Sequence, residues 1–310
     1  MTNNNNNEIW VFLSHSHEDY EKVRRIRDML EDVQMRPIMF FLKCLNDNDE
    51  IDSLIKREID CRTRFILCDS DKSRKSDWVK RELEYIKSKD RNFDIIDMTV
   101  NEDLILQQIE RIKKQTTIFI SYNREEYNLA ELVYNRLCKY DFDIKFDRYM
   151  YRMGDDFARE NMLSIDIDKA CEKGTVIALL RERVLAENSF VRKELGKAIG
   201  NDLSRDSHSI LPFYLDNGLE EKVKKDSILY PLSNYCAIDL SLSRFDQRAD
   251  IVVGEVLKTH YKPGTILFYA NLFADKNQDS YDIEESMKLA NLYNQITRKK
   301  SSFWRRVFKK

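Results

Sequence analysis

Two glutamates stand where carboxylate chemistry is open to them. In Ser76-Asp77-Trp78-Val79-Lys80-Arg81-Glu82-Leu83 an aromatic residue precedes a glutamate by four positions. Asn188-Ser189-Phe190-Val191-Arg192-Lys193-Glu194-Leu195 repeats the arrangement. On a helix with 3.6 residues per turn, ring and carboxylate share one face. Val79, Leu83 and Ile86 keep an i, i+4, i+7 rhythm, which predicts a core-facing stripe with Glu82 at its border. Glu84 lies between Lys80 and Lys87 at helical spacing, the setting of an ordinary solvated acid. Glu82 has Trp78, Val79, Tyr85 and Ile86 at those positions and no cation among them. A carboxylate held beside a ring without a local partner is a candidate site residue. A helix-surface glutamate is the plainer reading of one copy alone; its recurrence favours a site.

The elements that position these residues belong to a chain of 310 residues, enough for two domains with a core each. A net charge of −2 spread over 34% charged residues of both signs argues against a nucleic-acid binder. Six cysteines, Cys44, Cys61, Cys68, Cys138, Cys171 and Cys236, form no CxxC pair, so free buried thiols in a reducing compartment are expected. His15, His17, His208 and His260 do not cluster with them, and no zinc site is expected. Met1-Thr2 runs into five asparagines and has no leader pattern, and no apolar run is long enough to span a bilayer. These features predict a soluble, cytoplasmic protein.

Residues 1–7 are low in complexity and predicted to be disordered. Ile9 to Leu13 is a continuous apolar run of the kind buried in parallel sheets, ending at Ser14-His15-Ser16-His17. An amphipathic helix follows from Asp19 to Asp32, with Val23, Ile26 and Leu30 inward. Strands are predicted at Ile38 to Phe41, Arg64 to Cys68 and Phe93 to Asp97. Helices are predicted at Ile51 to Cys61, Ser76 to Lys89 and Glu102 to Lys114. This alternation implies a parallel sheet with helices on both faces.

At Thr116 the order restarts. Ile118-Phe119-Ile120-Ser121-Tyr122-Asn123-Arg124-Glu125-Glu126-Tyr127 aligns without a gap on Val11-Phe12-Leu13-Ser14-His15-Ser16-His17-Glu18-Asp19-Tyr20. Strands are then expected at Asp143 to Phe146, Thr175 to Leu180 and Ile210 to Leu215. Helices are expected at Phe157 to Cys171, at the segment bearing Glu194, and at Gln247 to Tyr261. A period of about 110 residues is far too long for a solenoid unit and marks a duplicated domain. The expected division is 8–114, 115–262 and a tail at 263–310, with no flexible linker between the copies.

Pro263-Gly264 is expected to break the second copy from the tail. Asp282 to Ile296 can form a helix with Ile283, Met287, Ala290 and Tyr293 on one side. Arg298 to Lys310 holds seven basic residues and no acid, and Phe303, Trp304, Val307 and Phe308 share a helical face. The expectation is that this tail packs on the second copy or stays disordered; contact with anionic lipid or a partner is the alternative.

Three features, in the same order in each copy, together resemble a TIR domain. In the second copy they are Phe119-Ile120-Ser121-Tyr122, the loop Phe146-Asp147-Arg148-Tyr149-Met150-Tyr151-Arg152-Met153-Gly154, and the helix with Phe190 and Glu194. The first copy resembles the bacterial form through Phe12-Leu13-Ser14-His15-Ser16 and Trp78-Val79-Lys80-Arg81-Glu82. The resemblance covers roughly residues 8–114 and 115–262, most of the chain. It implies an α/β fold class with two flavodoxin-like, three-layer domains on parallel sheets of strand order 2-1-3-4-5. It also implies a crevice at the carboxyl ends of the first and third strands, where strand order reverses.

TIR domains are either adaptors that only assemble or enzymes that cleave the nicotinamide–ribose bond of NAD. The resemblance implies Glu82 and Glu194 as catalytic carboxylates, with Ser14, His15, Trp78, Ser121, Tyr122, Asp147, Gly154 and Phe190 around the substrate. NAD is then a substrate, and no cofactor or metal is expected. Water as nucleophile gives ADP-ribose; an internal nitrogen or hydroxyl gives a cyclic isomer. In bacteria the resemblance implies defence against phage by NAD depletion or a cyclic ADP-ribose signal to a downstream effector. TIR–TIR self-association, within or between chains, is the implied assembly. The loop Arg148 to Asp155 is then the natural lid, and Glu82 the favoured glutamate.

The copies depart from the pattern in different ways. The first has no glycine and a shorter loop, Leu42 to Glu50. In the second, Phe190 replaces tryptophan and Lys197 stands three residues beyond Glu194. Asp47-x-Asp49 has the alternating acids of a calcium loop, but the glycine is missing and Ile51 occupies a ligand position. Ser14 beside His15 does not make a triad, because neighbours on a strand point to opposite faces. A phosphate receiver needs paired acids after the first strand, where serine stands in both copies. A non-catalytic TIR scaffold remains the main alternative, and a nucleoside-processing transferase of related fold a lesser one.

Overall fold

The computed structural model describes residues 9–39, 48–146, 174–205, 209–275 and 280–307. The expected disordered start, the loop 40–47 and the helix expected from Phe157 to Cys171 lie outside the described residues. The chain forms two compact units. One is Glu110–Val253; the other combines Glu8–Ile109 with Gly254–Lys310.

In the discontinuous unit, β1 (Ile9–Ser14) is followed by α1 (Tyr20–Asp32), which buries Val23, Ile26 and Leu30 as its period predicts. Gln34, at φ 64°, turns the chain into β2 (Met35–Met39), three residues earlier than expected. Pro37 cannot donate to a ladder, and β2 tolerates it because it lies at the sheet edge. Next come α2 (Asn48–Asp60), β3 (Arg64–Asp69), α3 (Asp71–Lys75), α4 (Asp77–Ser88), β4 (Asp94–Asp97) and α5 (Glu102–Lys114). The four strands are parallel in the order β2-β1-β3-β4. Strand order reverses between β1 and β3, so right-handed crossovers place α1 on one face and α2 and α4 on the other.

The α2/α4 face is filled by Phe12, Ile55, Ile59, Phe65 and Ile86, with Trp78, Tyr85 and Phe93 packed against them. Trp10, expected in a wholly buried run, is instead 43% exposed. Arg62 lies over its ring at 5.3 Å. On an edge-near strand the second face need not be fully covered, and the Arg62 guanidinium part-covers the indole.

The contiguous unit begins β5 (Thr117–Tyr122), α6 (Tyr127–Leu137) and β6 (Asp143–Lys145). It continues with β7 (Thr175–Leu180), α7 (Phe190–Arg205), β8 (Ile210–Tyr214), α8 (Leu219–Val223) and β9 (Ile238–Asp239). These strands are parallel in the order β6-β5-β7-β8-β9. Every residue of the central β7 is buried, which is why Thr-Val-Ile-Ala-Leu-Leu shows no alternation. β9 falls in the stretch read from sequence as irregular; two residues are too few for a period.

α9 (Phe245–His260) leads into α10 (Pro263–Asp275) and α11 (Ser280–Val307). Pro263-Gly264 therefore opens a helix instead of only ending one, since proline's fixed φ and missing N–H suit a first helical position. α11 also runs well beyond the expected end at Ile296. The tail groups with the first repeat, not with the second as expected. Asn92, in the loop after α4, fixes this packing. Its Oδ1 accepts from the Lys262 N–H at 2.7 Å and from Thr265 Oγ1 at 3.2 Å. Its Nδ2 donates to the His260 carbonyl at 3.1 Å. The Arg91 guanidinium lies between the rings of Phe65 at 5.3 Å and Phe268 at 4.2 Å. Among the described residues no helix is long and apolar enough to cross a membrane. The four described cysteines, Cys61, Cys68, Cys138 and Cys236, form no disulfide among the described residues; Cys68 is buried, but Cys61 and Cys236 are exposed, contrary to the expectation of buried thiols.

Candidate functional site

Strand alternation delivers a serine to each glutamate. Phe12 points into the α2/α4 core, so Ser14, two residues on, points to the same face at the carboxyl end of β1. It stands opposite Leu67 of β3, at the place where strand order reverses. α4 begins nearby, with Ser76 accepting from the Val79 N–H as its cap. α4 buries Val79, Glu82 and Ile86, while Leu83 is only half-buried. Glu82 is thus part of the inward stripe and not at its border.

The Ser14 hydroxyl donates to Glu82 Oε2, and Glu82 is only 9% exposed. Burial pushes the Glu82 carboxyl up to about 7, against the opposing pull of the serine bond. His15 faces away from this pair: its Nδ1 meets the Leu13 carbonyl at 3.0 Å, and burial lowers its pKa. The Ser14 hydroxyl serves Glu82 and does not pair with His15.

Glu82 opens on a shallow, part-open depression lined by Ile55, Lys56, Trp78, Arg81 and Tyr85. Trp78 packs on the core cluster and is half-buried, and one face of its ring carries the Arg81 guanidinium at 5.2 Å. One face of the indole expected beside the substrate is therefore already part-covered.

In the second repeat Phe119 lies in the core beside Val191, Leu195 and Ala198 of α7. Ser121, two residues on, donates from Oγ to Glu194 Oε2 at 2.6 Å. Glu194 is half-buried, so the second pair is more open to solvent than the first. Phe190, in the first turn of α7, is 42% exposed. Tyr122 stacks on Phe146 with centroids 5.3 Å apart and planes at 27°. Asp147, Gly154 and the loop expected to act as a lid lie outside the described residues.

The sequence model of the TIR domain family matches residues 11–114 and again 118–252. The chain belongs to the TIR domain family. A comparison with curated proteins finds no match.

Each TIR repeat also holds its serine–glutamate pair with a clamp that sequence reasoning did not single out. The strand ends in a 3-10 turn, His17–Asp19 or Arg124–Glu126, whose last residue is acidic. In the first TIR repeat, Ser70 just after β3 donates to Asp19 at 2.5 Å while capping α3. In the second, Arg181 just after β7 reaches Glu126 at 2.5 Å and Asp216 at 2.8 Å. Each acid ties the loop after the first strand to the loop after the third, fixing both flanks of the crevice. The signal was present in the sequence, because Asp19 and Glu126 align without a gap; what hid it was that their partners, Ser70 and Arg181, are of different chemical types.

Proposed function

We propose that this tandem TIR protein cleaves the nicotinamide–ribose bond of NAD, with Glu82 as the principal carboxylate. The supporting observation is the buried Ser14–Glu82 pair at the reversal of strand order, repeated as Ser121–Glu194. In the reaction the glycosidic C–N bond breaks and its electron pair leaves on nicotinamide, which departs neutral. The ribose carries the positive charge, and an ionised carboxylate fixed beside it lowers the barrier. Ser14 holds that carboxylate in one orientation, and a buried setting strengthens its field. Water then adds to the ribosyl carbon and loses a proton to give ADP-ribose. An internal nitrogen or hydroxyl adding in the same way gives a cyclic isomer.

Incubation of the full chain with NAD, followed by chromatography, tests this. Release of nicotinamide together with ADP-ribose or its cyclic isomer is expected from the wild type and not from a Glu82→Gln/Glu194→Gln double variant. Undiminished cleavage by a folded double variant would overturn the assignment.

A non-catalytic TIR scaffold is the second reading, and one observation favours it. Among the described residues the depression beside Glu82 is shallow and part-open, lined by Ile55, Lys56, Trp78, Arg81 and Tyr85, whereas small-molecule sites usually enclose most of their ligand. A wild-type chain that binds its own kind but leaves NAD intact would establish the scaffold.

A further inference from the structure

The tail grips α4 at the end opposite its cap. Glu82 lies on a middle turn of α4, roughly two turns before the last helical residue, Ser88. Beyond it Lys89 closes the helix, Asp90 adopts φ 49°, and the Arg91 N–H returns to the Ile86 carbonyl at 3.1 Å. Gly264 sits against the carbonyl oxygens of Lys89 and Asp90, so the C-terminus of α4 meets the first turn of α10. These two helix ends carry opposite partial charges and attract. Asn92 fastens the same junction through its bonds to His260, Lys262 and Thr265. α10 is held in turn by α11, where Ser286 Oγ donates to the Ala270 carbonyl at 2.7 Å.

Arg91 carries this grip into the core. It is buried, donates to the Arg62 carbonyl just before β3, and lies between the rings of Phe268 on α10 and Phe65 on β3. Phe65 meets Phe12 of β1 with ring centroids 6.3 Å apart, and Ile86 of α4 belongs to the same cluster. Phe12 precedes Ser14 by two residues on one strand face. The packed chain from Phe268 therefore reaches both partners of the hydrogen bond, the acceptor along α4 and the donor along β1. Close-packed interiors compress little and transmit displacement. We propose that Phe268 and Arg91 are positioning residues for Glu82, the tail bracing α4 so that its carboxylate stays against Ser14. This deepens the proposed function and rests on it only for the kinetic part of the test.

The experiment follows Glu82 itself, by NMR titration of its carboxyl carbon, together with steady-state kinetics on NAD, all in a Glu194→Gln chain. The carboxyl signal is assigned by its loss in Glu82→Gln. Phe268→Ala removes the tail's ring from Arg91. It is expected to lower the titration midpoint by about one pH unit, as water reaches the carboxyl. It should also lower kcat about tenfold with KM little changed, because the carboxylate is misplaced and not the substrate. Phe268→Tyr keeps a ring over the guanidinium and should restore both values. Val23→Ala, buried under α1 on the other face of the sheet, supplies a destabilisation remote from the junction and should move neither. Midpoint and kcat unchanged in a folded Phe268→Ala chain would overturn the brace, and so would equal changes from Val23→Ala. If Phe268→Ala does not fold, Phe268→Leu, which keeps apolar volume and loses the ring, is judged by the same criteria. If the wild-type chain leaves NAD intact, the catalytic reading falls, and the titration alone decides whether the tail positions Glu82.

Discussion

Ser14 and Glu82 lie 68 positions apart in the chain and share a hydrogen bond whose acceptor is buried. The end of β1 thereby sets the orientation of a carboxylate on α4. The bond favours the charged carboxylate and burial opposes it; burial prevails, since the group titrates at about 7.

Removing the serine hydroxyl should therefore move the titration upward. In a Glu194→Gln chain, Ser14→Ala is expected to shift the acid limb of the pH–rate profile for NAD cleavage to higher pH. Alanine also leaves a buried carboxylate short of a donor, so the maximal rate should fall as well. An unmoved acid limb would mean that Glu82 is not the titrating group.

Stability should carry the same signature with a defined sign. Glu82 holds its proton in the folded chain up to about pH 7, whereas the unfolded chain gives it up near 4.5. The stability of the protonated form is fully present below about pH 4.5 and is lost as pH rises toward 7. The loss amounts to about 3 kcal/mol, as an order of magnitude. Glutamine does not titrate, so the difference between wild-type and Glu82→Gln denaturation curves should widen over that window, with the variant the more stable at pH 8. Parallel curves from pH 4 to 8 would contradict the burial argument.

The two glutamates should not contribute equally. Glu82 is nearly enclosed, and Glu194 is half-open to water, where a carboxylate's field is weaker. Single Glu82→Gln and Glu194→Gln variants are expected to differ at least tenfold in NAD turnover, a gap of about 1.4 kcal/mol in barrier. Equal half-losses would indicate two independent and equivalent sites.

The tail should behave as part of the first repeat. A Cβ on Gly264 would overlap the Lys89 carbonyl oxygen and stand 2.7 Å from that of Asp90. Backbone cannot swing aside as a side chain does, so Gly264→Ala is expected to destabilise the unit by roughly 2 kcal/mol. Calorimetry should show a melting temperature lower by several degrees. Gly200→Ala, where an added Cβ meets nothing within 4 Å, serves as the control and should not lower it. Truncation after Tyr261 should destabilise the chain more than Gly264→Ala does; an unchanged melting temperature would restore the view of a detachable anchor.

Much of this arrangement was legible in the sequence, for identifiable reasons. The gapless alignment of Phe12-x-Ser14 with Phe119-x-Ser121 gave the strand faces, because side chains alternate with a period of two. The helical spacing in Trp78-xxx-Glu82 gave the face of α4. The depth of Glu82 was misjudged, because Leu83 competes for the stripe and only packing decides which of the two turns inward. Pro263-Gly264 looked like a terminator, since nothing local reveals that Lys89 and Asp90 will press against the glycine. The tail's attachment to the first repeat depends on Asn92, about 170 positions from its partners at His260 and Lys262, a separation that no local pattern can report.

Because α10 and α11 complete the first repeat, that repeat is finished last. On the ribosome Glu8–Ile109 emerges first, yet its closing helices are encoded only beyond the whole of Glu110–Val253. At elongation rates of about 5–20 residues per second, the interval is on the order of ten seconds. Throughout it, the loop at Lys89–Asn92 and the Phe65–Arg91 surface wait uncovered, while the second repeat already has every strand it needs. The nascent chain thus matures in the reverse of its genetic order, and a message cut short before Pro263 yields a finished second repeat beside a first one that never closes.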